Sequence, residues 1–246
     1  MYLLLSGEGS SDIGVCRSSA VCDRADFQEG PMAIIVDQLI ELNQGFEMSH
    51  LVCELVSYVS ESYLAENRQP PQRKAMSLKG KKKPAETKYF FENARALAAI
   101  AKHKATEVND NVIAVLFRDA DGTSSAGRGN WNDKRNSIVA GFKVEDYELG
   151  VAMIPKPKSE AWLLCATKKN PYQHCDCLED ESGNDNSKSP LKEQLAESLD
   201  GKTNGFDMAQ LINNKQIDIT SINMLSFNIF KNDLEEVVKL AMGVGG

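Results

Sequence analysis

Three histidines in 246 residues leave little room for imidazole chemistry. The Gly-x-Ser-x-Gly elbow of serine hydrolases is absent, and Gly7-Glu8-Gly9-Ser10-Ser11 does not replace it, since no histidine is suitably placed. The same stretch lacks the third glycine of a dinucleotide fingerprint, and no Gly-x-x-x-x-Gly-Lys-Ser/Thr occurs anywhere, so no ATP-binding loop is built in. No apolar run approaches the roughly 20 residues of a membrane-spanning helix, which predicts no membrane association. Met1 to Leu5 has no basic region before it, so no secretory leader is expected. The six cysteines are irregularly spaced, and the expectation is reduced thiols in a cytoplasmic protein. His174, Cys175 and Cys177, with Cys165 nearby, lack the paired two-residue knuckles of a structural zinc site.

Hydrophobic residues make up 42% of the chain, enough to bury a sizeable core without staples. Charge is unevenly spread. Between Pro70 and Phe90, Arg73, Lys74, Lys79, Lys81, Lys82, Lys83 and Lys88 stand against Glu86, a local balance of +6 in a chain of net −7. A basic loop on an acidic body suits a phosphate backbone approaching an acidic cleft, with Lys79, Lys81, Lys82 and Lys83 as nucleic-acid contacts. The plainer reading is a solvated loop.

Periodicity predicts alternating strands and helices. Strands are expected at Tyr2 to Ser6, Leu51 to Ser57, Val112 to Phe117 and Gly150 to Ile154, with Gly7 to Gly30 as a loop. Helices are expected from Pro31, from a cap at Thr87, around Trp131 to Phe142 and from Ser159 to Ala166. That alternation implies an α/β fold with a parallel four-stranded sheet flanked by helices. After residue 171 the texture becomes helical, with helices predicted from Pro190 to Leu199 behind a Ser189 cap, over Phe206 to Asn213 and over Asn232 to Met242. The chain thus divides into a core of residues 1–171 and a helical C-terminal elaboration of residues 172–246 packed on it.

The chemistry concentrates in carboxylates. Glu8 follows the first apolar run, and Asp119 and Asp121 follow the third, so all three are expected where strands leave the sheet. Clustered carboxylates repel unless hard divalent cations hold them, which predicts a magnesium site. A duller account has Glu8 and Asp12 capping the next segment and Asp119 with Asp121-Gly122 forming a tight turn. Glu160, in turn, can be read as a first-turn acid favoured by the helix dipole.

Glu8-Gly9 after a strand, Asp12 beyond it and Asp119-Ala120-Asp121 after a later strand resemble the Toprim domain of primases, topoisomerases and overcoming-lysogenization-defect-type nucleases. Glu160-Ala161-Trp162-Leu163-Leu164, Ile217-Asp218-Ile219 and Phe227 to Leu234 are further similar to stand-alone bacterial Toprim proteins of the DUF4276-like group. The resemblance implies a Rossmann-like Toprim sheet and Mg²⁺ or Mn²⁺, in all two ions held by Glu8, Asp12, Asp119, Asp121 and Glu160. In two-ion sites one cation activates the attacking water and the other stabilises the leaving oxygen. By the same resemblance Glu8, Asp119 and Asp121 are catalytic, with Glu8 as metal ligand or general base. Lys156 and Lys158, between the fourth strand and the following helix, can contact the scissile phosphate or stabilise its transition state, or can equally be solvated.

The activity implied is hydrolysis of phosphodiesters in DNA or RNA, by the nuclease component of an anti-phage defence system with a separate ATPase protein. The rivals are a non-catalytic module binding nucleic acid or that ATPase, and a phosphoryl-transfer enzyme acting on a nucleotide.

Overall fold

The computed structural model describes residues 1–70, 85–120 and 130–244. Strand β1 (Tyr2–Gly7) opens the chain, and every residue in it is buried. The segment after it, expected as loop, carries three short strands: β2 (Gly14–Cys16), β3 (Val21–Asp23) and β4 (Phe27–Glu29). At three residues each they are too short to show a period. Helix α1 (Pro31–Gln44) has proline in its first turn and ends at Gly45 in the left-handed region, the usual stop for a helix.

Strand β5 (Val56–Ser60) begins five residues later than the predicted Leu51. Glu54 sits at φ 58, outside extended geometry, so residues 51–54 turn, and the chain first meets β1 at Leu55, whose carbonyl accepts the Leu3 N–H at 2.9 Å. A short helix α2 (Glu61–Glu66), capped by Ser60, follows directly. Helix α3 (Ala85–Val108) starts before Thr87, which therefore lies inside the first turn instead of capping it.

Strand β6 (Val112–Phe117), helix α4 (Trp131–Val144) and strand β7 (Gly150–Met153) lie close to expectation, α4 closed by a capping box between Asn130 and Asp133. Helix α5 (Ser159–Thr167) ends the core.

The tail forms α6 (Leu191–Ser198), α7 (Gly205–Asn213) and α8 (Leu225–Ala241). Pro190, not Ser189, is the residue before the first turn of α6. Helix α8 starts seven residues before the predicted Asn232. Phe227 and Phe230 pack on the fully buried Trp162, with centroids 5.0 and 5.9 Å away, and the Glu179 carboxylate accepts the Ser226 N–H at 2.6 Å. A distant carboxylate thus does at this helix start what a local cap does elsewhere.

The main sheet has the order β3-β5-β1-β6-β7. The four predicted strands run parallel in it, and β3 joins the β5 edge antiparallel. Alternation along the strands divides the core. Leu3, Leu5, Ile113, Val115, Val151 and Met153 face α1, α5, α7 and α8, while Tyr2, Leu4, Val112, Ala114, Leu116 and Ala152 face α3 and α4. Buried apolar area of this kind contributes roughly 25 cal/mol per Å². Every parallel strand is apolar on both faces because helices cover both. Among the described residues no helix is long and apolar enough to cross a membrane.

Four of the six cysteines are paired, Cys16 with Cys22 and Cys165 with Cys175, where the sequence predicts reduced thiols. Cys53 and Cys177 are free and exposed. The second pairing takes Cys165 and Cys175 out of any zinc site with His174 and Cys177.

Candidate functional site

The crossovers leave the sheet in opposite directions from its middle. From β1 the chain crosses by α1 on one face to β5; from β6 it crosses by α4 on the other face to β7. The loops leaving β1 and β6 therefore diverge, and a crevice opens between them at the carboxyl ends of the strands, where open α/β sheets bind ligands. Glu8 leaves β1 and Asp119 leaves β6 at that point.

Two glycines set the geometry. A Cβ on Gly7 would lie 2.5 Å from the Phe117 carbonyl oxygen, so only glycine lets β1 and β6 close up where the acids emerge. Gly9 has φ +83, and a Cβ there would lie 2.5 Å from Asp12 Oδ2. The Asp12 and Ile13 N–H groups both donate back to the Gly9 carbonyl, so residues 9–13 form a tight turn that returns Asp12 to the crevice.

Ser159, fully buried at the start of α5, draws two of these acids together. Its hydroxyl donates to Asp12 Oδ1 at 2.6 Å, and its backbone N–H donates to Asp119 Oδ1 at 2.9 Å. The hydroxyl is also 3.4 Å from Glu160 Oε2. Burial pushes the Glu160 carboxyl above the usual range; its own backbone N–H works the other way, and the nearby Asp12 carboxylate adds to the rise. Lys158 precedes this helix, and its ammonium pairs with Asp185 at 2.8 Å. Lys156 pairs with Asp180 on the exposed side.

Glu8 lies beside this group, bonded to Arg118 with Nη2 2.9 Å from its Oε2. Arg118 also pairs with Glu61, Nη1 to Oε1 at 3.2 Å, and stacks over the rings of Tyr89 and Phe90 at 4.5 and 5.0 Å. Burial opposes its charge, but Glu61 and Glu8 outweigh that and hold the guanidinium above its ordinary value. Burial likewise raises the Glu61 carboxyl, against the pull of Arg118. Below the loop, the buried Lys134 of α4 donates to the Ala120 carbonyl, tethering the residue after Asp119.

The structure thus gathers Asp12, Asp119 and Glu160 around Ser159, with Glu8 next to them on Arg118. Asp121 and the loop lysines Lys79, Lys81, Lys82 and Lys83 lie outside the described residues. Glu61, Ser159 and Lys134 escape the sequence reading. For Glu61 a signal exists: Val56-Ser57-Tyr58-Val59-Ser60-Glu61 is an apolar run ending in an acid, as Glu8 ends the first strand.

Among the described residues no three His, Cys, Asp or Glu side chains form a ready ligand group. The oxygens present are carboxylates, the donor type that hard divalent cations take, and in this state they are occupied by the Ser159 and Arg118 hydrogen bonds. A cavity of about 680 Å³, lined by Phe142, Tyr147, Leu149 and Gly150, lies at the opposite edge of the sheet, away from every acid named above. Comparison with protein-family models, with curated proteins and with solved structures finds no match to this chain.

Proposed function

We propose that this chain is a Mg²⁺- or Mn²⁺-dependent nuclease of Toprim type, with a Rossmann-like core, hydrolysing phosphodiesters of DNA or RNA. One observation carries the reading: four carboxylates from three separate chain segments, Glu8, Asp12, Asp119 and Glu160, converge on the carboxyl edge of the sheet where the crossovers diverge. Burying Glu160 beside Asp12 costs stability in the absence of a cation, and such costs cluster at functional sites.

Glu8, Asp12, Asp119 and Glu160 are the residues that would hold divalent cations, with Asp121 following Asp119 in sequence. Bound there, the cations would offset phosphate charge and acidify the attacking water. With a cation bound, Glu8 would ligate it or take the proton of the attacking water, while Ser159 fixes the two aspartates and Lys158, paired with Asp185, would supply a positive charge at the start of the same helix. The anti-phage role and the separate ATPase rest on the family resemblance alone.

The second reading is a non-catalytic module that binds nucleic acid or a partner ATPase. It draws on the same hydrogen bonds, since Ser159 and Arg118 already satisfy acids that then merely organise the loops.

The test is cleavage of supercoiled plasmid and of structured RNA with Mg²⁺ or Mn²⁺, by wild type, Glu8→Ala and Asp119→Ala/Asp121→Ala. Metal-dependent cleavage lost in both variants, with folding intact, is the expected result. Equal cleavage by all three, or none by wild type with a candidate ATPase added, overturns the nuclease reading.

A further inference from the structure

Arg118 stands one residue before Asp119, and its guanidinium is shared unequally. Three groups anchor it from the α3 side: the Glu61 carboxylate at 3.2 Å, the Tyr89 ring at 4.5 Å and the Phe90 ring at 5.0 Å. The Glu61 anchor is itself fixed, taking the Asn93 amide at 3.3 Å and the Tyr89 hydroxyl at 3.4 Å. One carboxylate already balances the guanidinium charge. Glu8, the second, occupies the remaining Nη2 arm at 2.9 Å, and it is the more exposed of the two acids, at 30% against 15%.

A guanidinium donates to carboxylate and phosphate oxygens alike, in the same planar geometry. A phosphodiester carries the same single negative charge as the Glu8 carboxylate, so one replaces the other on the Nη2 arm without leaving the guanidinium unpaired, and the displaced Glu8 carboxylate turns to the crevice. The arm opens on the crevice from which Glu8 and Asp119 emerge.

We propose that Arg118 binds the substrate phosphodiester, and that its contact with Glu8 is the resting position of the site: an arriving phosphate takes the arm and releases Glu8. The proposal rests on the reading of Glu8 as a working residue of a phosphodiesterase site. It gives the free protein a latch made of its own side chains and makes Arg118, with Glu61, Tyr89 and Phe90 behind it, the first contact of the polyanion.

The experiment uses the full chain and two variants, Arg118→Gln and Arg118→Gln/Glu61→Gln, the second removing both charges so that no buried carboxylate is stranded. Binding of a labelled 12-nucleotide single-stranded DNA, and of its RNA counterpart, is measured in Ca²⁺ over a range of salt. Mn²⁺ binding without nucleic acid is measured separately by electron paramagnetic resonance. Both variants are expected to lose about tenfold in oligonucleotide affinity and about one phosphate contact in the salt slope. Mn²⁺ is expected to bind several-fold tighter than to wild type, because Glu8 is released.

Unchanged oligonucleotide affinity and salt slope overturn the phosphate role, as does a wild type that binds neither oligonucleotide. Mn²⁺ affinity that is unchanged or weaker overturns the latch. Neither readout requires cleavage, so a wild type that binds but never cuts defeats the nuclease reading while these measurements still decide the role of Arg118. A Glu8-dependent nuclease whose KM is untouched by Arg118→Gln defeats only the present proposal.

Discussion

Replacing Ser159 by alanine removes one atom, and its effect can be worked from the geometry. The hydroxyl donates to Asp12 Oδ1 at 2.6 Å from a fully buried position. A hydrogen bond to a charged group contributes about 1.5–3 kcal/mol. Asp12 is only half-buried and regains water when the hydroxyl goes, so the lower end applies, about 1.5 kcal/mol. The backbone N–H to Asp119 remains, and alanine is tolerated at the first helical position, so no other loss is expected. For a chain of this size each kcal/mol shifts Tm by about 2–4 °C, which predicts a fall of about 3–6 °C. Scanning fluorimetry at pH 7 measures it, and a double-mutant cycle with Asp12→Ala assigns it to the pair. Additive single variants, with no coupling near 1 kcal/mol, would refute the claim that Ser159 and Asp12 act together.

Glu160→Gln is expected to stabilise the protein at neutral pH. The folded carboxyl titrates above its ordinary 4.5, so in the fold its ionised form is disfavoured. Below that ordinary value Glu160 is protonated in both states and costs nothing; as pH rises through the folded value, stability is lost. Tm should therefore be higher in the variant at pH 7 and equal at pH 4, and equal values at both would contradict the burial argument. Reduction of the Cys165–Cys175 pair, 10 residues apart, is expected to cost about 2.5 kcal/mol through freed chain entropy, read as a Tm drop on adding a phosphine reductant to Cys16→Ser/Cys22→Ser protein. No drop would mean that the two sulfurs are not joined.

Three of the four parallel strands, β1, β6 and β7, were legible because each is a short apolar run buried on both faces, and Glu8 and Asp119 at the ends of the first two follow from that alone. The insert after Glu8 was not, since three-residue strands carry no period. One left-handed residue, Glu54, displaced the second strand, and with it the reading of Glu61 as an edge acid. The start of α8 was hidden because Asn228 and Lys231 interrupt its apolar pattern, while Trp162 and Glu179, far away in sequence, hold it in place. Ser159 left no signature, because a serine before a glutamate reads as an ordinary helix start and only the folded backbone reveals what its hydroxyl reaches.

The short antiparallel strand Val21–Asp23 lies three residues long against Val59, Tyr58 and Ser57 and occupies the flank that β5 would otherwise present to solvent. A parallel sheet ending in an uncovered strand offers a row of unpaired amides and carbonyls to any passing chain. The stretch between Ile13 and Pro31 therefore guards an edge of the sheet: shortening it to a bare connection would keep every parallel strand and every acid of the site, Asp12 included, and yield a protein that joins its neighbours edge to edge.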